Sequence, residues 1–447
     1  MGFRELGDVL AFAERNGRLF RPGRPVAARH EAAALLHLAG WAGKALYARV
    51  REAGVPVFGN ALYADEVLCA AMGVPAEALP AAWAERTGRT IPAIRVDDAP
   101  VLARTEGPGA LERLLPALTH YEGDSAPFVT TAVVSAFDPR TDRVARGVHR
   151  MEARGPGRMG VALLNPPLSD AFQAAARAGR PLPAAVTIGH EPLTFIGAAL
   201  PAPPGTDKLE LAGSLAGRPV EVVRAPRTGI PVPARAEVLL EGVIDPSDLR
   251  PDGPFGEISG YHVAFPPTPT FVVEAVHCRA DPLYHALLPT GPEADRILGL
   301  AAEAAVGAVA RQGFPFVQRA RAVPRTYGSA VVVRCAPARP DAVRALLERV
   351  LEGTQAKHVV AVAEDTDPDD PADVAWSVVS RCQPDRDVVV KSGLRGHPID
   401  PSAGGGKTAK IGLDATGYGR VPGRRARIPE RALAAARALW CERSAHA

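Results

Sequence analysis

The sequence predicts a mixed α/β protein built around a β-barrel, because its pattern changes twice along 447 residues. Residues 3–99 carry apolar side chains mainly at helical spacing. From about residue 123, short strands alternate with Gly and Pro turns, and after about residue 298 helices and strands alternate again. Short strands with few helices between them favour a barrel over a doubly wound sheet. We therefore predict an N-terminal α/β domain at 1–105, a central β-barrel domain at 106–297 and a C-terminal α/β domain at 298–447.

In the N-terminal part, the spacing predicts helices over 3–15, 32–50 and 65–72, and a short buried strand over 55–58. The central part contains predicted strands at 128–137, 160–164, 220–223, 236–240 and 270–277. The last part has predicted helices at 298–312, 340–352, 373–381 and 429–440, with strands at 329–334 and 357–363.

The composition excludes several classes of protein. A chain of 46.9 kDa with 47% hydrophobic residues has enough apolar material for several cores, so wholesale disorder is excluded. Lys and Arg together number 52 against 49 for Asp and Glu. A balance this even argues against a dedicated nucleic-acid-binding or membrane-surface protein.

The cysteine pattern and the apolar windows predict a cytoplasmic protein. The five cysteines are widely spaced and include no Cys-x-x-Cys pair, so neither a disulfide framework nor a thiolate metal site is expected. Charged residues run through the first twenty residues and interrupt the most apolar windows. No signal peptide or transmembrane span is therefore predicted.

One window carries two acids beside glycines. In the segment Pro251-Asp-Gly-Pro-Phe-Gly-Glu, Asp252 and Glu257 flank a predicted Gly-Pro-Phe-Gly turn whose glycines let the backbone approach a bound group closely. Two carboxyl groups in one cleft are suited to proton transfer. An exposed loop with two ordinary acids explains the same residues, and the spacing alone does not decide between these interpretations.

This window resembles the Glu-Gly-Pro-Phe-Gly-Glu signature of the UbiD family of decarboxylases. The resemblance continues, in order, through segments 188–193, 200–205, 211–217, 236–242, 380–387 and 410–416. Each segment is weakly diagnostic alone, whereas their order and spacing together are specific.

The resemblance implies a central split β-barrel of the flavin-reductase type that holds prenylated FMN, and a C-terminal domain used in dimer contacts. It implies a non-oxidative carboxy-lyase that acts on an α,β-unsaturated or (hetero)aromatic carboxylic acid, with a flavin prenyltransferase as the supplier of the cofactor. The protein then supplies orientation and proton transfer, and the flavin supplies the electron sink. A homodimer or a larger homo-oligomer is expected.

The resemblance also assigns three catalytic residues. Glu257 matches the proton donor, Arg150 the arginine that holds this acid and the substrate carboxylate, and Asp252 the acid that orients the arginine. A guanidinium is suited to this task because it stays charged and offers a planar fork of donors. Asp252 is one methylene shorter than the family's usual Glu. From the residues alone, a surface arginine in an arginine-rich stretch is the favoured interpretation of Arg150.

The family's divalent-metal site is absent from this sequence. Where the family has Asn, His and Glu as ligands, this chain has Ala145, Leu168 and Lys208. An alkyl side chain has no donor atom and an ammonium does not coordinate a cation, so no metal is expected. The predicted cofactor-binding residues are Gly147, Val148, His149, Arg150, Pro167, Leu168, Lys208 and Lys410.

Lys208 has two interpretations. Thr206 and Asp207 precede it as a predicted N-cap, and a helix N-terminus with one ammonium suits a phosphate without any metal. The other interpretation is a solvated lysine beside a phosphate site that has decayed. If the cofactor site has been lost, the protein is instead a non-catalytic or flavin-independent subunit.

Overall fold

The computed structural model describes residues 2–203, 205–397, 399–403, 406–421 and 425–444. Helices in these residues are α1 Leu6–Arg15, α2 Glu31–Trp41, α3 Asp65–Met72, α4 Leu79–Arg86, α5 Leu111–Leu114, α6 Leu168–Arg177, α7 Pro192–Ala199, α8 Lys208–Ala216, α9 Pro292–Arg311, α10 Pro340–Gly353, α11 Pro371–Arg381 and α12 Glu430–Ser444. Strands are β1 Leu19–Phe20, β2 Ala45–Ala48, β3 Val57–Gly59, β4 Ile94–Arg95, β5 Arg104–Glu106, β6 Phe128–Val129, β7 Val133–Phe137, β8 Val144–Val148, β9 Met151–Ala153, β10 Arg158–Val161, β11 Leu182–Ile188, β12 Glu221–Arg224, β13 Pro231–Pro233, β14 Val238–Gly256, β15 His262–Cys278, β16 Tyr284–Ala286, β17 Val317–Ala322, β18 Ala330–Cys335, β19 His358–Ala363, β20 Val388–Arg395 and β21 Lys407–Ala415.

The centre of the molecule is an antiparallel sheet that curls into a half-barrel. Its strand order is β6-β9-β10-β15-β14-β11-β7-β8, with β5 paired to the C-terminal end of β15. The two longest strands, β14 and β15, pair along most of their length, and β11 lies between β14 and β7. The predicted fold class is thereby confirmed, and the three domain limits stay predictions.

The inner face of this sheet is closed by α6. The side chains of Leu168, Ala171 and Ala175 recur at helical spacing and are all buried in one apolar core with the strands beneath. Ala145 of β8 belongs to the same core. Burial of such a stripe is what holds a short helix on a sheet.

The N-terminal sheet has the order β1-β2-β3-β16, so its last strand comes from residues 284–286. The predicted helix over 32–50 is wrong in its second half. α2 ends at Trp41, Gly43 follows in the left-handed region at φ +64°, and the chain then enters β2. Pairing of β2 between β1 and β3 outweighs the helical spacing of its apolar residues.

The C-terminal sheet has the order β17-β18-β19-β21-β20, with β18, β19 and β21 parallel. Helix α10 packs on it through buried side chains at positions 343, 346, 347, 350 and 351, the spacing of an amphipathic helix. The helices and strands predicted here are found within a few residues of their predicted ends, except that the first helix begins earlier, at Pro292.

Two features of the sequence prediction need correction in the centre. The single strand predicted over 128–137 is two strands, because β6 pairs with β9 whereas β7 pairs with β8 and β11. The turn predicted between Asp252 and Glu257 is instead the end of β14, with register shifts between Arg250 and Asp252 and between Asp252 and Phe255. Such irregularities bend a strand and redirect its side chains without reversing the chain.

Cys69, Cys278, Cys335 and Cys382 are free thiols, and the side chain of Cys441 lies outside the described residues. By length and composition, no single helix among the described residues qualifies as a membrane span; only the bent pair 65–72 and 76–86 passes that test together.

Candidate active site

Arg150 lies between two acids that are more than a hundred positions away in sequence. It follows β8, and its guanidinium donates from Nε to Asp252 Oδ1 at 3.1 Å and from Nη1 to Glu257 Oε1 at 2.6 Å. Nη2 donates to the same Asp252 oxygen. One N–H group remains on each of Nη1 and Nη2, because a guanidinium carries five.

Three phenylalanine rings surround this guanidinium. Its central carbon lies 4.7 Å from the ring centre of Phe255, 4.5 Å from that of Phe265 and 5.6 Å from that of Phe128. Aromatic faces attract a cation and displace water from it. The sequence analysis named none of these rings, although Phe255 lies inside the motif that carries both acids.

The two acids differ in exposure. The Asp252 side chain is fully buried, accepts a further hydrogen bond from Thr268 Oγ1 at 3.3 Å and does not line the cavity described below. Glu257 does line it, with 16% of its side chain exposed. Asp252 therefore contacts the back of the guanidinium, and Glu257 is the acid that a ligand can reach.

The environment of Glu257 favours its neutral form. Burial raises the pKa of this carboxyl above its usual value, and the negative charge of Asp252 acts in the same direction. Arg150 opposes both effects through its charge and its hydrogen bond, without outweighing them.

The segment that carries Glu257 is fixed from behind by Asp124. The Gly256 N–H donates to Asp124 Oδ1 at 2.9 Å, and the N–H groups of His120 and Tyr121 both donate to Asp124 Oδ2 at 2.9 Å. The Asp124 side chain is fully buried. No motif in the sequence pointed to it, since the groups that donate hydrogen bonds to it are backbone N–H groups.

Tyr121 connects this segment to the start of α9. Its ring packs under Gly256, where a Cβ atom would overlap it. Its hydroxyl lies 2.7 Å from Thr290 Oγ1 and accepts the Thr290 N–H at 3.0 Å. Glycine at 256 is therefore required by this close approach.

A cavity of about 810 Å³ opens in front of Arg150 and Glu257. Its wall comes from the end of β8, from α7, from α9 and from the region beyond α9, which contributes Ser329 before β18, Thr354 after α10 and Lys410 of β21. A volume of this size is typical of cofactor and ligand sites.

The family to which the chain belongs follows from comparison with known proteins. Residues 94–292 match the model of the 3-octaprenyl-4-hydroxybenzoate carboxy-lyase Rift-related domain, and residues 296–415 match the C-terminal domain of the same enzyme. The chain is a member of the UbiD family. It is accordingly a carboxy-lyase.

Individual relatives agree with this assignment. The chain is 31% identical over 417 residues to an anhydromevalonate phosphate decarboxylase from Methanosarcina mazei, an alignment that covers 92% of this chain and 95% of that protein. The structure of the UbiD-class enzyme HmfF from Pelotomaculum thermopropionicum in complex with FMN is 33% identical, with a TM-score of 0.88 over 95% of this chain and 97% of that one.

An evolved dimeric form of HmfF in complex with prenylated FMN is 32% identical, with a TM-score of 0.86 over 96% of this chain and 97% of that one. Vanillic acid decarboxylase from Sedimentibacter hydroxybenzoicus has a TM-score of 0.86 at 23% identity over 98% of this chain and 99% of that one, which shows a shared fold.

Most of the residues predicted to bind a UbiD cofactor line the cavity. These are Gly147, Val148, His149, Arg150, Lys208 and Lys410. Pro167 and Leu168 do not line it; Pro167 is exposed elsewhere, and Leu168 is buried under α6. The wall is formed there by Leu164, Asn165 and Pro166, which the sequence analysis did not select.

The two lysines differ in what they bind within the chain. Lys410 Nζ donates to the carbonyl oxygens of Leu351 at 2.9 Å and Thr354 at 2.6 Å, so its charge lies at the C-terminal end of α10. Lys208 is the first residue of α8, and the predicted N-cap is confirmed because Asp207 accepts the Leu209 N–H at 3.0 Å. That N–H is consequently not available to a ligand.

The structure does not offer the family's divalent-metal site. Ala145 and Leu168 are both buried in the apolar core between β8 and α6. Within the ranges that the structure describes, no group of three or more His, Cys, Asp or Glu side chains is arranged to hold a metal ion. The side chains at positions 145, 168 and 208 do not fit a divalent cation, because two are alkyl groups without donor atoms and the third is an ammonium.

Proposed function

We propose that this chain is a decarboxylase of an α,β-unsaturated or (hetero)aromatic carboxylic acid that uses prenylated FMN. The observation that carries the proposal is the Asp252–Arg150–Glu257 arrangement on the wall of the cavity. The cavity fits a flavin by its volume, by its largely apolar wall and by the Lys208 ammonium at one side. When bound, prenylated FMN supplies the sink for the electron pair that carbon dioxide leaves behind.

Arg150 holds the substrate carboxylate in this proposal. Its two remaining N–H groups form a fork that matches a carboxylate. Asp252 and the three phenylalanine rings hold the guanidinium in place, so the substrate enters a site whose main cation is already oriented. Such preorganisation reduces the cost of binding and orientation.

Glu257 is the proposed proton donor. After the bond to the carboxylate carbon breaks, the Glu257 proton is transferred to the substrate carbon that carried the carboxylate, and the electron pair of the broken bond forms the new C–H bond. The carboxylate thus formed is stabilised by its 2.6 Å hydrogen bond from Arg150 Nη1, and a proton from solvent restores the acid. Burial prepares the neutral form that this step requires.

The residues proposed to contact the cofactor are Gly147, Val148, His149, Lys208 and Lys410. A flavin prenyltransferase is proposed to supply this cofactor. The chain is proposed to form a homodimer or a larger homo-oligomer in the cytoplasm. The dimeric HmfF neighbour supports the assembly. Light scattering of the purified protein measures it directly.

A second candidate function follows from the apolar surroundings of Ala145 and Leu168. In this alternative the chain is a UbiD-like subunit that has lost the flavin, or a decarboxylase that works without one. The two candidates differ in whether a flavin binds at all.

The test is co-expression with a flavin prenyltransferase, followed by the visible absorption spectrum and by assays of carbon dioxide release from unsaturated and aromatic acids. We expect a bound modified flavin and turnover of at least one acid of these classes. A colourless protein without turnover favours the flavin-free subunit, and a colourless protein with turnover favours flavin-independent chemistry.

A further inference from the structure

Lys208 carries a positive charge that no residue described by the structure neutralises. Its ammonium donates to the Ala198 carbonyl oxygen at 3.0 Å, which leaves two N–H donors, and it lines the cavity. Burial lowers the pKa of this ammonium to about 8, and no carboxylate raises it. A half-buried cation without a counter-ion favours the binding of an anion.

The neighbouring acid does not compensate for this charge. Asp207 accepts hydrogen bonds from Arg146 Nε at 2.8 Å and from Arg146 Nη2 at 3.1 Å, as well as from the Leu209 N–H. The Arg146 side chain is itself almost fully buried, so this pair is a closed unit. Lys208 thus differs from the adjacent Arg146 in having no carboxylate partner within the part of the chain that the structure describes.

Gly147 leaves open space beside this ammonium. A Cβ atom built on Gly147 would lie 3.7 Å from Lys208 Nζ and 3.0 Å from His149 Nε2, so both nitrogens converge on the space above its Cα. His149 Nδ1 lies 2.8 Å from the Ala162 carbonyl oxygen, which only accepts, so Nδ1 carries the hydrogen and Nε2 has a lone pair. Burial lowers the pKa of this histidine to about 4, so the ring is neutral near pH 7.

A cation donor and a neutral acceptor side by side match a group that bears an anion next to a hydroxyl. The ribityl phosphate tail of a flavin has this chemistry. We propose that Lys208 binds the FMN phosphate directly, without a divalent metal, and that His149 Nε2 accepts a hydrogen bond from a ribityl hydroxyl. This inference rests on the proposed use of a flavin and assigns how the tail of that flavin is held.

The three substituted ligand positions agree with a phosphate site that needs no metal. Ala145 and Leu168 complete an apolar core, while the position where the family has an acid now supplies the charge that a metal would supply. A divalent ion beside Lys208 would add repulsion between cations, and a phosphate alone removes the imbalance.

The experiment compares the dissociation constants of FMN and riboflavin, since the two ligands differ only in the phosphate. Both are measured by quenching of flavin fluorescence, with and without EDTA, for the unmodified protein, Lys208→Met, Lys208→Arg and the control Lys407→Met. Lys407 is exposed and does not line the cavity. Thermal unfolding checks that each variant is folded.

We expect the unmodified protein to bind FMN about 10- to 100-fold more tightly than riboflavin, with or without EDTA, as one charge-assisted contact provides. Lys208→Met should bring the two dissociation constants together, while Lys208→Arg and Lys407→Met should keep most of the difference. If EDTA abolishes the difference between the dissociation constants of FMN and riboflavin, a metal holds the phosphate. If the difference is unchanged in folded Lys208→Met, another residue holds it. Either result overturns the inference. Neither affects the proposed decarboxylation, which fails instead if neither flavin binds.

Discussion

The Gly256 N–H donates to Asp124 Oδ1 at 2.9 Å, one residue before the acid that is proposed to donate the proton. The second oxygen of Asp124 accepts hydrogen bonds from two more backbone N–H groups, those of His120 and Tyr121. A single buried carboxylate therefore joins the segment at 120–121 to the segment that carries Glu257. The position of Glu257 therefore depends on a residue that does not line the cavity.

Asp124→Asn should lower kcat by about 10-fold with little change in flavin affinity. The amide presents an NH₂ group to backbone donors on one side, so at least one of the three hydrogen bonds is lost at a cost of about 1–3 kcal/mol in the free energy of unfolding. The matched control is Asp138→Asn, another buried aspartate that accepts from its own neighbour Arg140 and does not line the cavity. If both variants lose stability and neither loses turnover, Asp124 has only a structural role.

Glu257→Gln should reduce turnover by about 100-fold or more while the flavin remains bound, because the amide keeps the size and hydrogen bonding of the acid but cannot transfer its proton. The measurement is single-turnover product formation together with solvent-deuterium incorporation into product. Full turnover and full exchange in this variant would disprove the assignment of Glu257 as the donor.

Asp252→Asn should be milder than Glu257→Gln and should also change the pH profile. Asp252 raises the pKa of Glu257 by its negative charge, so its neutralisation lowers that pKa. Since the protonated acid is the active form, the alkaline fall in kcat should begin at a lower pH than in the unmodified enzyme. An unchanged profile with reduced kcat would show that Asp252 acts on Arg150 alone.

Acid should destabilise the fold through buried histidines. Burial lowers the pKa of His120 and His149 to about 4 and of His190 to about 3, whereas an unfolded chain has a histidine pKa near 6.5. Between about pH 6.5 and pH 4 the unfolded state therefore binds more protons than the folded state, so the free energy of unfolding decreases as the pH falls through this range. Each histidine contributes up to about 1.4 kcal/mol per pH unit.

The measurement is urea unfolding at pH 7 and pH 5. The His120 ring packs against Phe255 at 5.9 Å and has no hydrogen-bond partner for either nitrogen within the described residues. His120→Phe should therefore reduce the dependence on pH, and an identical loss of stability in this variant would show that other groups are responsible.

Elemental analysis of the purified protein should find no stoichiometric manganese or magnesium. Ala145 and Leu168 offer no donor atoms and Lys208 is a cation, so a divalent ion has no ligand set at the family position. About one tightly held divalent ion per chain would refute this prediction and the alignment of these residues with the family's ligands.

Local patterns in the sequence are sufficient to predict much of the fold. The cap at Asp207 and the apolar spacing of α10 are encoded by neighbouring residues, and both were predicted. β2 was predicted as helix because its apolar residues fit either structure, and only its pairing partners decide between them.

The site was less visible in the sequence. Arg150 and its acids lie more than a hundred residues apart, so their proximity was expected from the family motif rather than from spacing. The phenylalanine rings and Asp124 act through packing and backbone hydrogen bonds, which leave no pattern of polar residues to detect. The chemical roles of all these residues stay predictions.

The burial that raises the pKa of Glu257 comes from segments that are far apart in the sequence. Ile258, the next residue, packs in the same apolar cluster as Leu68 of α3 and Ile297 of α9, and the cavity wall also includes Lys410 of β21. An acid whose proton affinity is set by such distant segments is ready to react only while they stay together. Separation of α9 from the barrel would admit water, lower the pKa of Glu257 and stop proton donation, so neither half of this chain should support turnover by itself.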